Sequence, residues 1–453
     1  MIKEHFIRYF TGTILLKIMS VVSMPIIVRT LTVEEYAGYS LINTYFSILV
    51  VVLVLNFQSS ISRFYFKDDD ISEKVSSFLL LSIIYISFFL FVLYFFRIEL
   101  SNSLELAVES VFFLVIAAYI QAIYNSLEEF FKVDEKSKMV STLTVVGGAI
   151  LYSCLLLFVF LFEDGSLSFI TAKIISLIPI VFVFLYFFYR NLNSFKFSFK
   201  SLYSPFRYSI SLIPYALSGF LLQQFDRVML GYLDDLESVA FYSFSYSVGS
   251  LPYLLVGVIL VSWNPSFMKC CNERNFFRLN SESNQFLLVV SAITSIAVLF
   301  NKEISLVVGG ESYSETTVLT NLVLLSNLFI FSLTLYLWFL NFKFKVMWSS
   351  VFTISSLIFN VMLNLLLIPK YGALGAAIAT LMSYLLLYLL LHIMISIRYS
   401  GQFEVGFIRI LLCFSFLVLV SIVSFNTDLF IRFFITLLLL SFAFGKRKTL
   451  FKI

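Results

Sequence analysis

Apolar stretches about 20 residues long follow one another from end to end of this chain, separated by short polar connections, and few folds accept such a pattern. The candidate spans lie near 10–29, 39–62, 76–96, 105–127, 139–162, 167–189, 207–229, 238–263, 284–304, 316–341, 346–368, 373–397, 405–425 and 428–444. Each run is continuous instead of alternating in ten-residue pieces, so the spans are helices and not barrel strands. Only 13% of residues are charged and 60% are hydrophobic, against about 25% charged in an ordinary soluble domain. An all-α integral membrane protein of about 14 transmembrane helices is expected. Connections averaging about a dozen residues leave no room for a soluble catalytic domain. Lys3 and Arg8 precede the first run, but no small-residue cleavage site occurs before Val28, so that run reads as a retained span.

The residues that carry most bond chemistry are scarce. Cys154, Cys270, Cys271 and Cys413 have no metal-ligand spacing, and His5 and His392 are the only histidines. Neither a metal site, a cofactor nor a catalytic triad is expected, and no basic patch points to nucleic acid. The run Lys67-Asp68-Asp69-Asp70 reads as a solvated loop, with no nucleotide-binding domain around it.

Lysines and arginines accumulate in loops that stay in the cytoplasm. Those of this chain gather on the amino-terminal side of the membrane, as at Lys132 to Lys138, Arg190 to Arg207, Lys269 to Arg278 and Lys446 to Lys452. The opposite side receives only Arg29, Arg97, Arg227, Lys302, Lys370 and Arg432. Both termini are therefore expected in the cytoplasm, with an even number of spans. The longest connection, near Asn264 to Asn284, falls on the cytoplasmic side.

The chain also echoes itself. Glu34-Glu35-Tyr36-Ala37-Gly38-Tyr39-Ser40 returns as Glu237-Ser238-Val239-Ala240-Phe241-Tyr242-Ser243, with Ser47 matched by Ser250 at the same offset. Gly165, Leu167, Ala172 and Ser176 return as Gly372, Leu374, Ala379 and Ser383. The first echo follows spans one and seven and the second enters spans six and twelve, so the repeat is six helices. An even number of spans per repeat relates the lobes by a pseudo-two-fold axis along the membrane normal. The expected organisation is 1–200 for the first lobe and linker, 201–397 for the second, and 398–453 for a terminal helix pair and basic tail, with Arg190 to Pro205 linking the lobes.

Polar groups within a membrane are costly and are the first functional candidates. Thr13, Lys17 and Ser20 share one face of span one, with Lys17 about 10 Å in at 1.5 Å per residue. Its long stem can snorkel to the interface or present a cation to an anionic substrate. Lys173 in span six has the same two readings. Asn56 and Arg63 end span two, while Gln121, Asn125 and Glu128 share a face of span four. In span seven Asp226 closes one polar stripe and Gln223 with Arg227 form its neighbour, behind Pro214, which leaves the Ile210 carbonyl without a helical donor. Thr353, Ser356, Asn360 and Asn364 line one face of span eleven and read as hydrogen-bonding groups between the lobes.

Three stretches carry a family resemblance. They are Val28-Arg29-Thr30-Leu31-Thr32-Val33-Glu34-Glu35-Tyr36-Ala37-Gly38-Tyr39-Ser40, Asp226-Arg227-Val228-Met229-Leu230-Gly231, and the run from Asn364 through Ile368-Pro369-Lys370-Tyr371-Gly372-Ala373-Leu374-Gly375 to Thr380. Together they resemble the bacterial polysaccharide-transport proteins, the Wzx-type oligosaccharide flippases, whose superfamily also holds multidrug and toxin extrusion transporters and the lipid II flippase. The resemblance implies two six-helix bundles around a central cavity walled by spans one, two, seven and eight. It implies transfer of an undecaprenyl-diphosphate-linked oligosaccharide across the bacterial cytoplasmic (inner) membrane for O-antigen, capsule or exopolysaccharide synthesis, with a polysaccharide polymerase and a chain-length regulator as candidate partners.

On that reading Lys17, Arg63 and Arg227 attract the diphosphate, Lys173, Gln223 and Asn125 are further cavity candidates, and Asp226 is either a carboxylate for a coupling ion, H+ or Na+, or a partner for a neighbouring cation. The membrane potential is the other available drive, at about 2.3 kcal/mol per charge per 100 mV. A drug or metabolite exporter of the same superfamily, and a polysaccharide polymerase or ligase, are the competing readings. The mainly basic embedded charges disfavour the first, and the lack of a large outer loop disfavours the second.

Overall fold

In hydrocarbon every backbone N–H and C=O must find its partner within the protein, and a helix supplies those partners locally. The computed structural model describes residues 2–65, 71–104, 107–162, 164–190, 199–343 and 345–445. Among them every regular element is helical. The first nine helices are α1 (Ile2–Thr30), α2 (Val33–Val54), α3 (Phe57–Phe64), α4 (Ile71–Phe95), α5 (Arg97–Leu104), α6 (Val108–Val133), α7 (Ser137–Phe162), α8 (Gly165–Arg190) and α9 (Phe199–Leu233). The remainder are α10 (Leu236–Asn272), α11 (Phe276–Leu299), α12 (Asn301–Gly309), α13 (Thr317–Phe342), α14 (Val346–Arg398), α15 (Phe407–Asn426) and α16 (Leu429–Gly445), with a 3₁₀ turn at Glu311–Thr316 before α13. The Asp68–Asp70 run, residues 191–198 of the expected linker and the basic tail from 446 lie outside the described residues.

Each of the fourteen predicted spans falls largely within helix among the described residues. Among the described residues eleven helical stretches are long and apolar enough to cross a membrane, and one of them, Met347–Arg398, holds two of the predicted spans. Those two meet at Gly372, whose φ of 52° and ψ of −132° break the helical geometry. Of the others, α9 is diluted by Gln223, Gln224, Asp226 and Arg227, and α16 is only 17 residues long.

Two expectations need correction. Span two is not one helix: Leu55 (φ 49°) and Asn56 (φ 55°) are both left-handed and separate α2 from α3. Asparagine tolerates that region, but leucine gives no local warning of it. The connection read at Asn264 to Asn284 shrinks to three residues, because α10 runs through Pro265 to Asn272 and α11 starts at Phe276, capped by the Asn275 side chain.

The chain forms two compact units, Met1–Phe220 and Leu221–Ile453. In the first, α1 packs on α7, α7 on α8, and α2 on both α6 and α8. Its core includes Phe57 stacked on Phe78 with ring centroids 3.7 Å apart, and Phe131 against Phe184. In the second, α13 packs against α10, α11 and α14. It is the central helix, with 72% of its apolar window buried. Hydroxyls in both units turn back on their own helices, as Thr44 does to the Ser40 carbonyl and Ser332 to that of Leu328. That local bond satisfies a donor where no water is present.

The echoed residues make matching contacts inside the two units. Thr32 caps α2 in a reciprocal pair with Glu35, and Asp235 caps α10 by accepting from the Ser238 N–H at 2.8 Å. A Cβ on Gly165, at the start of α8, would lie 2.5 Å from the Glu35 carbonyl oxygen in the first turn of α2. A Cβ on Gly372 would lie 2.5 Å from Asp234 Oδ2 and 3.2 Å from Ser238 Oγ at the start of α10. Glu35 and Ser238 are echo partners, as are Gly165 and Gly372, so each unit closes a glycine onto the same helix start.

Candidate functional site

The second unit holds the most developed polar cluster. Asp226, on α9, is fully buried, although an ionised carboxylate is among the most expensive groups to remove from water. Three donors compensate it. Tyr242 Oη of α10 donates to Oδ2 at 2.6 Å, Thr380 Oγ1 of α14 donates to the same oxygen, and Asn364 Nδ2 of α14 donates to Oδ1 at 2.7 Å. The break at Gly372 lets two arms of α14 approach one carboxylate, since Asn364 precedes it and Thr380 follows it.

Each hydroxyl in this cluster has one proton and more than one acceptor. Thr380 Oγ1 also lies 2.9 Å from the Ala376 carbonyl oxygen and 3.0 Å from Tyr242 Oη. With Asp226 ionised, both hydroxyls donate to it. With Asp226 protonated, Thr380 can turn its proton to the Ala376 carbonyl and accept from the carboxyl. Asn364 Nδ2 also donates to Asn360 Oδ1 at 3.0 Å, leaving Asn364 Oδ1 and Asn360 Nδ2 buried with no partner among the described residues. The cluster therefore has a spare acceptor beside the carboxylate.

Arg227, one residue on, is 6% exposed and forms no ion pair with Asp226 among the described residues. Its Nε donates to Ser243 Oγ at 3.2 Å, and its Nη1 to the Gln223 carbonyl at 3.3 Å and to Gln224 Oε1. The guanidinium carbon lies 4.9 Å from the centre of the Tyr246 ring. Gln223 itself is exposed. The Asn360–Asn364 face expected to bond between lobes is thus turned, through Asn364, to Asp226 in the same unit.

The other predicted candidates lie in the first unit and are dispersed. Lys17 is exposed on α1. Lys173 on α8 is half-buried, with its Nζ 4.9 Å from the Phe46 ring centre and 5.5 Å from that of Phe169. Arg63 on α3 lies over Tyr208 at 4.2 Å, beside Ser60, whose hydroxyl donates to the Pro205 carbonyl at 2.6 Å. Asn125 accepts from Gln121 Nε2 at 2.9 Å. Tyr242, Thr380 and Ser243 are the residues that sequence reasoning passed over. A hydroxyl at Thr380 in the otherwise apolar run Ala376-Ala377-Ile378-Ala379 was the one signal available.

Residues 2–270, more than half of the chain, match the family model described as polysaccharide biosynthesis protein. The chain belongs to that family. No curated protein matches it. Among solved structures it is similar to the lipid II flippase MurJ in an inward closed conformation, with a TM-score of 0.74 and 14% identity, covering 98% of this chain and 99% of that one. It is also similar to a multidrug resistance MATE family transporter of the MOP superfamily in an inward-facing conformation (TM-score 0.67, 14% identity, 84% and 96% covered). A MOP superfamily transporter from Pyrococcus furiosus gives 0.60 at 15% identity over 88% and 97%. This polysaccharide biosynthesis family member is a multi-pass membrane protein with the fold shared by those flippases and transporters.

Proposed function

We propose that this protein moves an undecaprenyl-diphosphate-linked oligosaccharide repeat unit from the cytoplasmic to the outer leaflet of a bacterial cytoplasmic membrane, by alternating access, for O-antigen, capsule or exopolysaccharide synthesis. The family match carries the reading, because the fold alone is common to lipid flippases and drug transporters. The physical task is severe. Each charge of a diphosphate costs on the order of 3 kcal/mol at mid-bilayer even on lenient scales, and the sugar hydroxyls must also stay solvated. Lys17, Lys173, Arg63 and Arg227 supply cations against that cost, with Gln223 and Asn125 as hydrogen-bonding candidates. The lysine and arginine distribution supports both termini being cytoplasmic.

Asp226 is the coupling group in this reading. The reversible hydroxyls of Tyr242 and Thr380 favour a proton, since the carboxyl keeps hydrogen-bond partners in either state. The spare Asn364 Oδ1 beside the carboxylate favours Na+, which takes oxygen ligands such as these. A bound cation would neutralise the buried carboxylate and so favour one conformation over another.

Deletion of the gene should accumulate the complete lipid-linked repeat unit on the cytoplasmic face, and the intact protein should clear it. If no such intermediate accumulates, the substrate assignment fails. With reconstituted protein, Na+-independent proton uptake lost in Asp226→Asn selects the proton, and ²²Na+ binding lost in the same variant selects sodium. Neither response would remove Asp226 from coupling.

A further inference from the structure

A pocket of about 270 Å³ opens in the second unit, away from Asp226, where the ends of α11 and α15 meet the starts of α12, α13 and α16. Since α13, each arm of α14, and α15 all cross the membrane once, these helix ends share one membrane face and the pocket sits at a bilayer–water boundary. Its polar lining comprises Lys302, Ser314, Glu315, Ser424 and Arg432.

Arg432 is the unusual member. It is 7% exposed and fixed by three bonds, from Nε to the Thr427 carbonyl (2.9 Å) and from Nη1 to the Leu299 carbonyl (3.3 Å) and Glu303 Oε1 (2.9 Å). Those bonds use the three N–H groups on Nε and Nη1. The two on Nη2 have no protein partner among the described residues, on a residue that lines the pocket and whose guanidinium cannot lose its charge. A pre-oriented pair of donors of this kind fits the oxygens of a phosphate. Lys302 adds an exposed cation at the rim, without an ion pair among the described residues.

Glu315 changes the class of ligand. It too is exposed and has no ion-pair partner among the described residues. A site for a simple anion would not place a carboxylate in its wall, and a site for a simple cation would not be lined by a buried arginine. A ligand with a phosphodiester and a primary amine satisfies both. The flank is apolar: Phe425 lines the pocket, and Leu429 and Phe430 are exposed close by in the chain, at 57% and 83%. That surface suits acyl chains better than water.

We propose that this pocket holds the phosphoethanolamine headgroup of a bilayer phospholipid, with Arg432 and Lys302 on the phosphate and Glu315 on the amine. A charge-assisted contact of this kind contributes roughly tenfold in affinity.

The test uses the purified full chain in mild detergent and native mass spectrometry with added phosphatidylethanolamine, phosphatidylcholine or phosphatidylglycerol. The wild type should retain phosphatidylethanolamine roughly tenfold more tightly than the other two. Glu315→Gln should abolish that preference, and Lys302→Gln should weaken all three lipids several-fold. Both side chains are exposed, so each variant should fold, and its unfolding midpoint in lipid-free detergent checks this. Equal retention of the three lipids by the wild type, or a preference surviving Glu315→Gln, overturns the proposal. Full displacement of the lipid by an equal concentration of soluble glycerophosphoethanolamine also overturns it, because the ligand would then be a free phosphodiester.

Discussion

Thr380 offers the sharpest test of the Asp226 cluster. Valine has almost the same shape, so Thr380→Val removes the hydroxyl at a site only 4% exposed without opening a cavity, and it leaves Asp226 Oδ2 with Tyr242 as its one donor. Hydrogen bonds to charged groups contribute about 1.5–3 kcal/mol and neutral ones about 1 kcal/mol. If Asp226 is ionised, the substitution should lower the unfolding free energy by about 2 kcal/mol. In an Asp226→Asn background it should cost about 1 kcal/mol, so the cycle should close with a coupling of about 1 kcal/mol. Thr380→Ser, which keeps the hydroxyl, should behave nearly as the wild type. The assay is denaturant unfolding of the four cycle members in one detergent, followed by tryptophan emission. A cost below about 0.5 kcal/mol in the wild-type background, or equal costs in both, would refute a hydrogen bond to an ionised carboxylate.

Four further outcomes can be checked with the same protein. Gly165→Ala should destabilise by about 1–3 kcal/mol, because its Cβ meets a backbone carbonyl that cannot swing aside. Gly372→Ala should cost about 1–2 kcal/mol, mainly from the left-handed φ, since the Asp234 side chain it meets can move. Asp235→Ala, which removes the α10 cap, should cost about 1 kcal/mol in the same unfolding measurement. Lys17→Gln should reduce glycan export while leaving abundance and unfolding unchanged, as the side chain is exposed; a parallel loss of abundance would show a structural role instead.

Helix positions were legible because apolar length is a strong local signal, and the final pair is helical as α15 and α16. Breaks and extensions were less legible. Leu55 adopts a left-handed conformation that nothing in its neighbourhood requires, and Pro252 and Pro265 sit within α10, where a local rule would end the helix. At the candidate site, Asp226 and Arg227 announced themselves as charges in an apolar run. Tyr242 and Thr380 did not, because a tyrosine and a threonine in a membrane helix usually satisfy themselves within their own helix or at an interface. Their role depends on three segments converging, which is a property of packing. The echo was more informative than its length suggested: Glu35 and Gly165, picked out only as repeated letters, are in contact.

The two copies of the repeat are unequal in one respect. The helix that starts at the Thr32 cap stops at Leu55 and resumes as α3 after two left-handed residues, whereas its counterpart from Asp235 continues unbroken for 37 residues. A leucine held in that conformation costs about 1–2 kcal/mol, which would be recovered if the junction rotated into a right-handed turn. One of the two echoed segments is therefore a continuous rod and the other carries an elbow. On the proposed function, bending would begin at Leu55 and Asn56, in one copy of the echoed segment and not in the other.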